Sequence, residues 1–352
     1  MAKRISVVVS QGQSQNPAKR GLEEDLVAAL LMEPGIDVAL VPHLYDLKAD
    51  GTGMLALQGI SGNLVVLSWL FERAARWILD RNGIHGQEGL TLIRSEEDDE
   101  EDEQEPEDDG KDRVIDQRDI PNRRIYCLDL RVHNSAQPYI DEIKRIAKEN
   151  STEVVQLGDW IQGSPQPAQM ERFLSPNPAA SGPNGHGKTQ PGNEVTRVEE
   201  EPARRWYPVI DFSRCTNCME CIDFCLFGVY GVDHSETILV EQPDNCRKGC
   251  PACSRVCPEN AIIFPQHKTP AIAGAQVVTD GLKIDLSKLF GAPDGGKSAL
   301  EIAALERDEQ LVAAGRDAVG LTMGIAKRQT SKEQQPKDEL DDLIDELDEL
   351  DL

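Results

Sequence analysis

Eight of the chain's nine cysteines fall between Cys215 and Cys257, and their spacing limits what that stretch can become. The first four read Cys215-x2-Cys218-x2-Cys221-x3-Cys225, and the second four Cys246-x3-Cys250-x2-Cys253-x3-Cys257-Pro258. Soft iron is held by thiolates, and the tight x2 spacing lets three sulfurs of one loop grip three corners of a cube, the fourth being reached from elsewhere. Structural zinc would use paired CxxC units split by a longer spacer, which this pattern fits poorly. Disulfides belong to oxidising compartments, and the sequence opens with nothing like a secretory signal. Met1-Ala2-Lys3-Arg4 is basic, but the apolar run Ile5 to Val9 is too short. The strongest apolar run, Leu64 to Phe71, is too short to cross a bilayer. The expectation is a cytoplasmic protein with no membrane insertion.

The constellation resembles the bacterial-type 2×4Fe–4S ferredoxin family over residues 206–265. The resemblance rests on two tetrads in tandem and on the ending Cys257-Pro258-Glu259-Asn260-Ala261-Ile262. Strand candidates Tyr207–Asp211 and Ile262–Pro265 frame the unit. It implies a small α+β dicluster domain that transports electrons through two 4Fe–4S clusters, with redox proteins as partners. In the two-cluster pattern the last cysteine of each group serves the other cluster. Cluster I would then take Cys215, Cys218, Cys221 and Cys257, and cluster II would take Cys246, Cys250, Cys253 and Cys225. Two features depart from the family: Leu226 follows Cys225 where Pro is usual, and Arg247-Lys248-Gly249 is one residue longer than the usual gap. Neither removes a thiolate.

Residues 1–163 alternate between apolar strand runs and amphipathic helices. Strands are expected at Ile5–Ser10, Ile36–Pro42, Asn63–Leu70, Arg124–Leu130 and Glu153–Leu157. Helices are expected at Pro17–Met32, Phe71–Asn82 and Ala136–Glu149, with a short one near Met54–Leu57. That alternation predicts a parallel sheet covered on both faces, an α/β doubly wound, flavodoxin-like domain. The turn Ser10-Gln11-Gly12-Gln13-Ser14 would lie at the carboxyl edge of the sheet, where helix N-termini attract phosphates. Flavin mononucleotide (FMN) would suit a neighbour of iron–sulfur clusters, but the Ser/Thr-rich loop that resemblance to flavodoxins would demand is lacking, which favours a scaffold loop. Cys127 reads as a buried small hydrophobe, and His43 and His133 as surface or capping residues. No catalytic arrangement emerges, so an electron carrier is favoured over an enzyme. The rivals are an oxidoreductase whose α/β domain carries the chemistry and a scaffold with structural clusters.

The net charge of −25 is unevenly placed: 12 acids lie between Glu96 and Asp109 and 9 between Asp338 and Leu352, with no base in either. A net-negative surface argues against nucleic acid as a partner. The acidic stretch marks a solvated, disordered insertion at 95–113, and the Pro/Gly/Ser/Asn-rich residues 164–205 a flexible linker. Residues 266–336 read as an irregular and helical extension, with a helix from Leu300 to Ala314. Gly291 to Ser298 matches the P-loop pattern letter for letter, but no apolar strand run follows to complete a nucleotide-binding sheet, so a Gly-rich turn is expected. In the tail 337–352, Leu340, Leu343, Ile344, Leu347 and Leu350 recur at helical spacing among the acids, predicting an amphipathic docking helix.

Overall fold

The computed structural model describes residues 4–93, 110–150, 195–200, 204–275 and 299–322. They form two compact units: Met1–Trp69, Gly86–Ser95 and Pro121–Pro202 in the first, Leu70–His85, Glu96–Ile120 and Ala203–Leu352 in the second. The stretches where a strand at Glu153–Leu157, the Gly-rich turn at Gly291 to Ser298 and the docking helix of the tail are expected lie outside the described residues, as does most of the acidic insertion.

The first unit is a parallel α/β fold. Its elements are β1 (Ile5–Ser10), α1 (Pro17–Leu31), β2 (Ile36–Val41), α2 (Thr52–Gln58), β3 (Leu64–Ser68), β4 (Gln87–Glu88), β5 (Arg124–Asp129), α4 (Gln137–Asn150) and β6 (Thr196–Arg197). Between β3 and β4 the chain makes α3 (Glu72–Arg81), which groups with the second unit. All pairings in the six-stranded sheet, order β4-β5-β3-β1-β2-β6, are parallel. Every residue of β3 is buried, as expected of a fully apolar run in such a sheet. Asn16 caps α1, its side chain accepting the Ala18 N–H at 3.0 Å, and Pro17 supplies a preset φ at the first turn. From α1, Leu22, Leu26 and Leu30 form a buried stripe at i, i+4 and i+8 in the same core as Val7, Val9, Val38 and Leu67. From α4, Tyr139, Ile143 and Ile146 join that core, and the Tyr139 hydroxyl donates to the Asp129 carbonyl at 2.9 Å.

The structure adds two short edge strands. β4 extends the sheet beside β5, and β6, within the stretch expected to be linker, pairs with β2 through Ala39↔Thr196 and Leu40↔Arg197. Cys127 is buried within β5. His43 is buried at the N-cap of a short 3-10 helix, and His133 is half-buried, its ring edge-on to Tyr139.

In the second unit two small antiparallel pairs carry the cysteine stretch: β7 (Val209–Ile210) with β10 (Ile262–Ile263), and β8 (Tyr230–Val232) with β9 (Ile238–Val240). The helices are short: α5 (Glu220–Phe224), α6 (Ala252–Val256) and α7 (Pro270–Ala273), followed by α8 (Ala299–Ala313). The core combines Ile210, Phe224, Tyr230, Ile262, Phe264, Ile272 and Ala303 with four buried cysteines. Arg73 of α3 is buried in this unit. Its Nε donates to Asp211 at the end of β7 and its Nη2 donates to the Asn260 carbonyl. One guanidinium thus ties the start of the first cysteine loop to the end of the second. Trp77 packs edge-on against Phe212 at 5.8 Å, and Asp80 pairs with Arg118 at 2.8 Å.

Candidate metal centre

The first cysteine loop is shaped by Asp211. Its carbonyl accepts the Cys215 N–H at 2.9 Å, and its carboxylate accepts the Ser213 N–H at 2.9 Å. Asn217 and Met219 adopt left-handed backbone at φ 58° and 66°, reversing the chain between Cys215 and α5. Asn217 also locks the loop to the β8–β9 hairpin, donating to the Glu236 carbonyl and accepting the Ile238 N–H, both at 2.9 Å. Cys221 then rides on α5 and Cys225 caps it.

The second loop begins as Cys246 closes a short 3-10 helix. The extra residue there is accommodated by Gly249 at φ 87°, a left-handed position where a Cβ would be strained. Cys253 sits within α6 and Cys257 at its end. The Ala261 N–H donates to the Cys257 sulfur at 3.2 Å, and the buried Tyr230 hydroxyl donates to the Cys253 sulfur at 3.1 Å. The Trp206 indole N–H holds the Cys250 carbonyl at 3.2 Å.

The eight cysteines divide between the linings of two small cavities. Cys215, Cys218, Cys221 and Cys257 line the first, with Glu220 and Glu259. Cys225, Cys246, Cys250 and Cys253 line the second, with Arg247 and Arg307. In each, three cysteines come from one motif and one from the other. Among the described residues no group of three or more His, Cys, Asp or Glu side chains is placed to hold a metal ion. The cysteines line cavities rather than converging on one point.

Electrostatics sharpens the division. Burial pushes the Cys221 thiol well up, and the neighbouring thiolates of Cys257, Cys215 and Cys218 push it further. In the second cavity burial raises Cys253 well above the ordinary thiol range, with Cys225 and Cys246 adding to it. Burial also lifts Cys250 and Cys257 to about 11, against hydrogen bonds from backbone N–H groups. Burial likewise holds up the thiols of Cys215, Cys225 and Cys246, and a cation among such sulfurs would offset the cost of ionising them.

The eight cysteines singled out in the sequence are thus brought together in two fours. Several of their neighbours carry no sequence signal. Lys111 and Arg113 pair with Glu259 at 2.8 and 2.9 Å, and Arg113 also donates to the Arg214 carbonyl at 2.7 Å. Tyr230 and Arg307 face the second cavity.

No family model matches the chain, and no solved structure matches it. Among curated proteins, 66 residues, 18% of this chain, are 50% identical to an uncharacterized ferredoxin of Methanocaldococcus jannaschii, spanning 44% of that protein. A stretch of 73 residues, 21% of this chain, is 33% identical to pyruvate synthase subunit PorD of the same organism and spans 81% of it. The chain therefore covers under half of the first relative and about four fifths of the second. It carries a ferredoxin-type domain, and through that domain it belongs to the ferredoxin-like proteins. Each match leaves about four fifths of the chain uncovered.

Proposed function

We propose that the chain is an electron-transfer protein with two 4Fe–4S clusters of the bacterial dicluster type. Cys215, Cys218, Cys221 and Cys257 hold one, and Cys246, Cys250, Cys253 and Cys225 hold the other. The observation that carries this reading is the partition of eight sulfurs into two cavities, each drawing three from one motif and one from the other. The donor sets fit the group: all-cysteine, largely buried, and fed by N–H and O–H donors that offset thiolate charge. When bound, the clusters supply one-electron redox chemistry. The chain's own residues hold sulfur geometry through the Asp211, Asn217 and Gly249 turns, exclude bulk water with Phe224, Tyr230 and Ile262, and place donors on the sulfurs.

The partners proposed are redox proteins, among them oxidoreductase complexes of the kind named for the PorD relative, with the acidic tail as docking element. Among the described residues no helix is long and apolar enough to cross a membrane, and a cytoplasmic location is proposed. The α/β unit is proposed to be flavodoxin-like in strand order, but to position the relay rather than bind flavin. The reason lies in the loop after β1. There the buried Glu23 carboxylate accepts the Gly12 N–H at 2.7 Å and the Trp69 indole N–H at 2.7 Å. A side-chain carboxylate already takes donors at the edge where a doubly wound sheet would receive phosphate.

Anaerobic purification followed by iron, acid-labile sulfide, zinc and flavin analysis tests the proposal. About eight irons and eight sulfides per chain are expected for two clusters. Stoichiometric zinc without sulfide would refute it, and stoichiometric flavin would favour an oxidoreductase.

A further inference from the structure

The two cavities differ in the charges that line them. The first has two carboxylates, Glu220 and Glu259, and the second has two guanidiniums, Arg247 and Arg307. Arg247 is exposed and lies over Phe227 at 5.6 Å. Arg307 is different. It comes from α8, more than forty residues beyond the stretch that resembles a ferredoxin, yet it is 1% exposed. Its guanidinium lies 4.6 Å from the centre of the Phe224 ring, and Nη2 donates to the Gly320 carbonyl at 2.6 Å. Its Nε donates to Asp308 Oδ1 at 3.2 Å, and the other oxygen of Asp308 accepts the Gly320 N–H at 2.6 Å. The planar group is therefore fixed at the cavity wall rather than trailing into solvent.

Other charges oppose or balance this one. Asp308 offsets part of the Arg307 charge. Glu306 acts on Cys250 in the opposite sense, but both its oxygens are held by Arg255 at 2.8 and 2.9 Å. At the first cavity Glu259 is matched by Lys111 and Arg113, while Glu220 is buried. A further donor acts in the same direction as Arg307, since the Tyr230 hydroxyl bonds the Cys253 sulfur. A cation and a sulfur hydrogen bond both favour the more negative, reduced state of a site, and burial strengthens each.

We propose that Arg307 tunes the Cys225–Cys246–Cys250–Cys253 site, so that of the two sites this one takes up an electron first. The inference rests on the two-cluster reading above. The electron comes from a reduced protein donor in function and from dithionite in a titration, one per site, and no bond is made or broken.

The test is an EPR-monitored redox titration of the full anaerobic protein beside Arg307→Gln, Arg307→Lys and Tyr230→Phe. Hyperfine-shifted cysteine β-protons assign each step to its ligand set. The wild type should reduce the Arg307 site at the higher potential. Arg307→Gln should lower that step alone by about tenfold in the reduction equilibrium, about 59 mV for a one-electron couple, with iron and sulfide unchanged. Arg307→Lys should restore most of it, and Tyr230→Phe should lower the same step. If Arg307→Gln fails to hold its iron, Asp308→Asn decides instead: removing the carboxylate that offsets Arg307 should raise the same step alone, and an unmoved step at full iron content overturns the inference. Full iron content with neither step moved, or with the other site reduced first in the wild type, overturns the inference. Failure of the underlying reading would look different: the wild type itself would lack labile sulfide.

Discussion

Removing the charge of Arg73 tests how the second unit is held together. Arg73 and Asp211 have side chains 4% and 1% exposed, and the same guanidinium also bonds the Asn260 carbonyl. Arg73→Met keeps most of the volume but leaves a buried carboxylate without its main partner, which costs about 3–5 kcal/mol. The lost bond to the Asn260 carbonyl adds about 1 kcal/mol. Arg214 Nε stands 3.7 Å from Asp211 and offsets part of the loss, so a net of about 3 kcal/mol is expected. Urea unfolding followed through the visible absorbance of the cysteine-bound chromophore should then reach its midpoint about 1–3 M earlier, given slopes of about 1–3 kcal/mol per M. Asp211→Asn should also destabilise, and the double variant should lose about 1–3 kcal/mol less than the two singles together. A midpoint for Arg73→Met within about 0.3 M of the wild type would refute the reasoning, given those slopes. So would strict additivity, because the loss would then not come from the pair.

Glu142 gives a pH prediction. Although burial pushes its carboxyl up, the Arg145 hydrogen bonds, the Leu92 N–H and the Arg145 charge together hold it below the usual range. A depressed carboxyl stabilises the fold above its unfolded pKa and loses that contribution as pH falls through the folded value. Glu142→Gln should therefore lower the thermal midpoint of the α/β unit, followed by far-UV circular dichroism, at pH 7. The gap should narrow as pH falls below the unfolded carboxyl value of about 4.3, and a gap that stays constant down to the acid transition would count against it. Gly89→Ala should destabilise the same unit by about 1–3 kcal/mol, since a Cβ there would overlap the Tyr126 ring, and an unchanged urea midpoint would contradict this. Deleting residues 337–352 should leave iron content and stability unchanged while weakening electron transfer to a basic redox partner, most clearly at low salt. Unaltered transfer would assign the tail no docking role.

Where a segment buries its own apolar pattern, the sequence was legible. β1 spans Ile5–Ser10 as expected, and α1 ends one residue early at Leu31. A continuous apolar run or a three-and-four stripe is a local signal that the sheet core then satisfies. The cysteine spacing was equally local; the crossed grouping came from the resemblance to dicluster ferredoxins, and the same two fours line the two cavities. β4 and β6 were not legible because each is a two-residue, exposed edge strand with no period to detect. The attachment of α3 to the cysteine unit was hidden for another reason. Arg73, Arg76 and Asp80 look like a solvated face, and they are buried in this unit, where Asp211 and Arg118 await them 138 and 38 residues away. Arg307 was hidden in the same way, as a charge on a helix whose own sequence says nothing of Phe224 or the cavity.

The crossed arrangement of the cysteines is the central claim, and Cys225→Ser and Cys257→Ser test it most directly. Each variant is prepared anaerobically, and its two sites are resolved by EPR and by hyperfine-shifted cysteine protons. Cys225→Ser should spare the site of Cys215, Cys218 and Cys221 while degrading that of Cys246, Cys250 and Cys253, and Cys257→Ser should do the reverse. Loss confined in each variant to the site of the mutated cysteine's own motif would contradict the account.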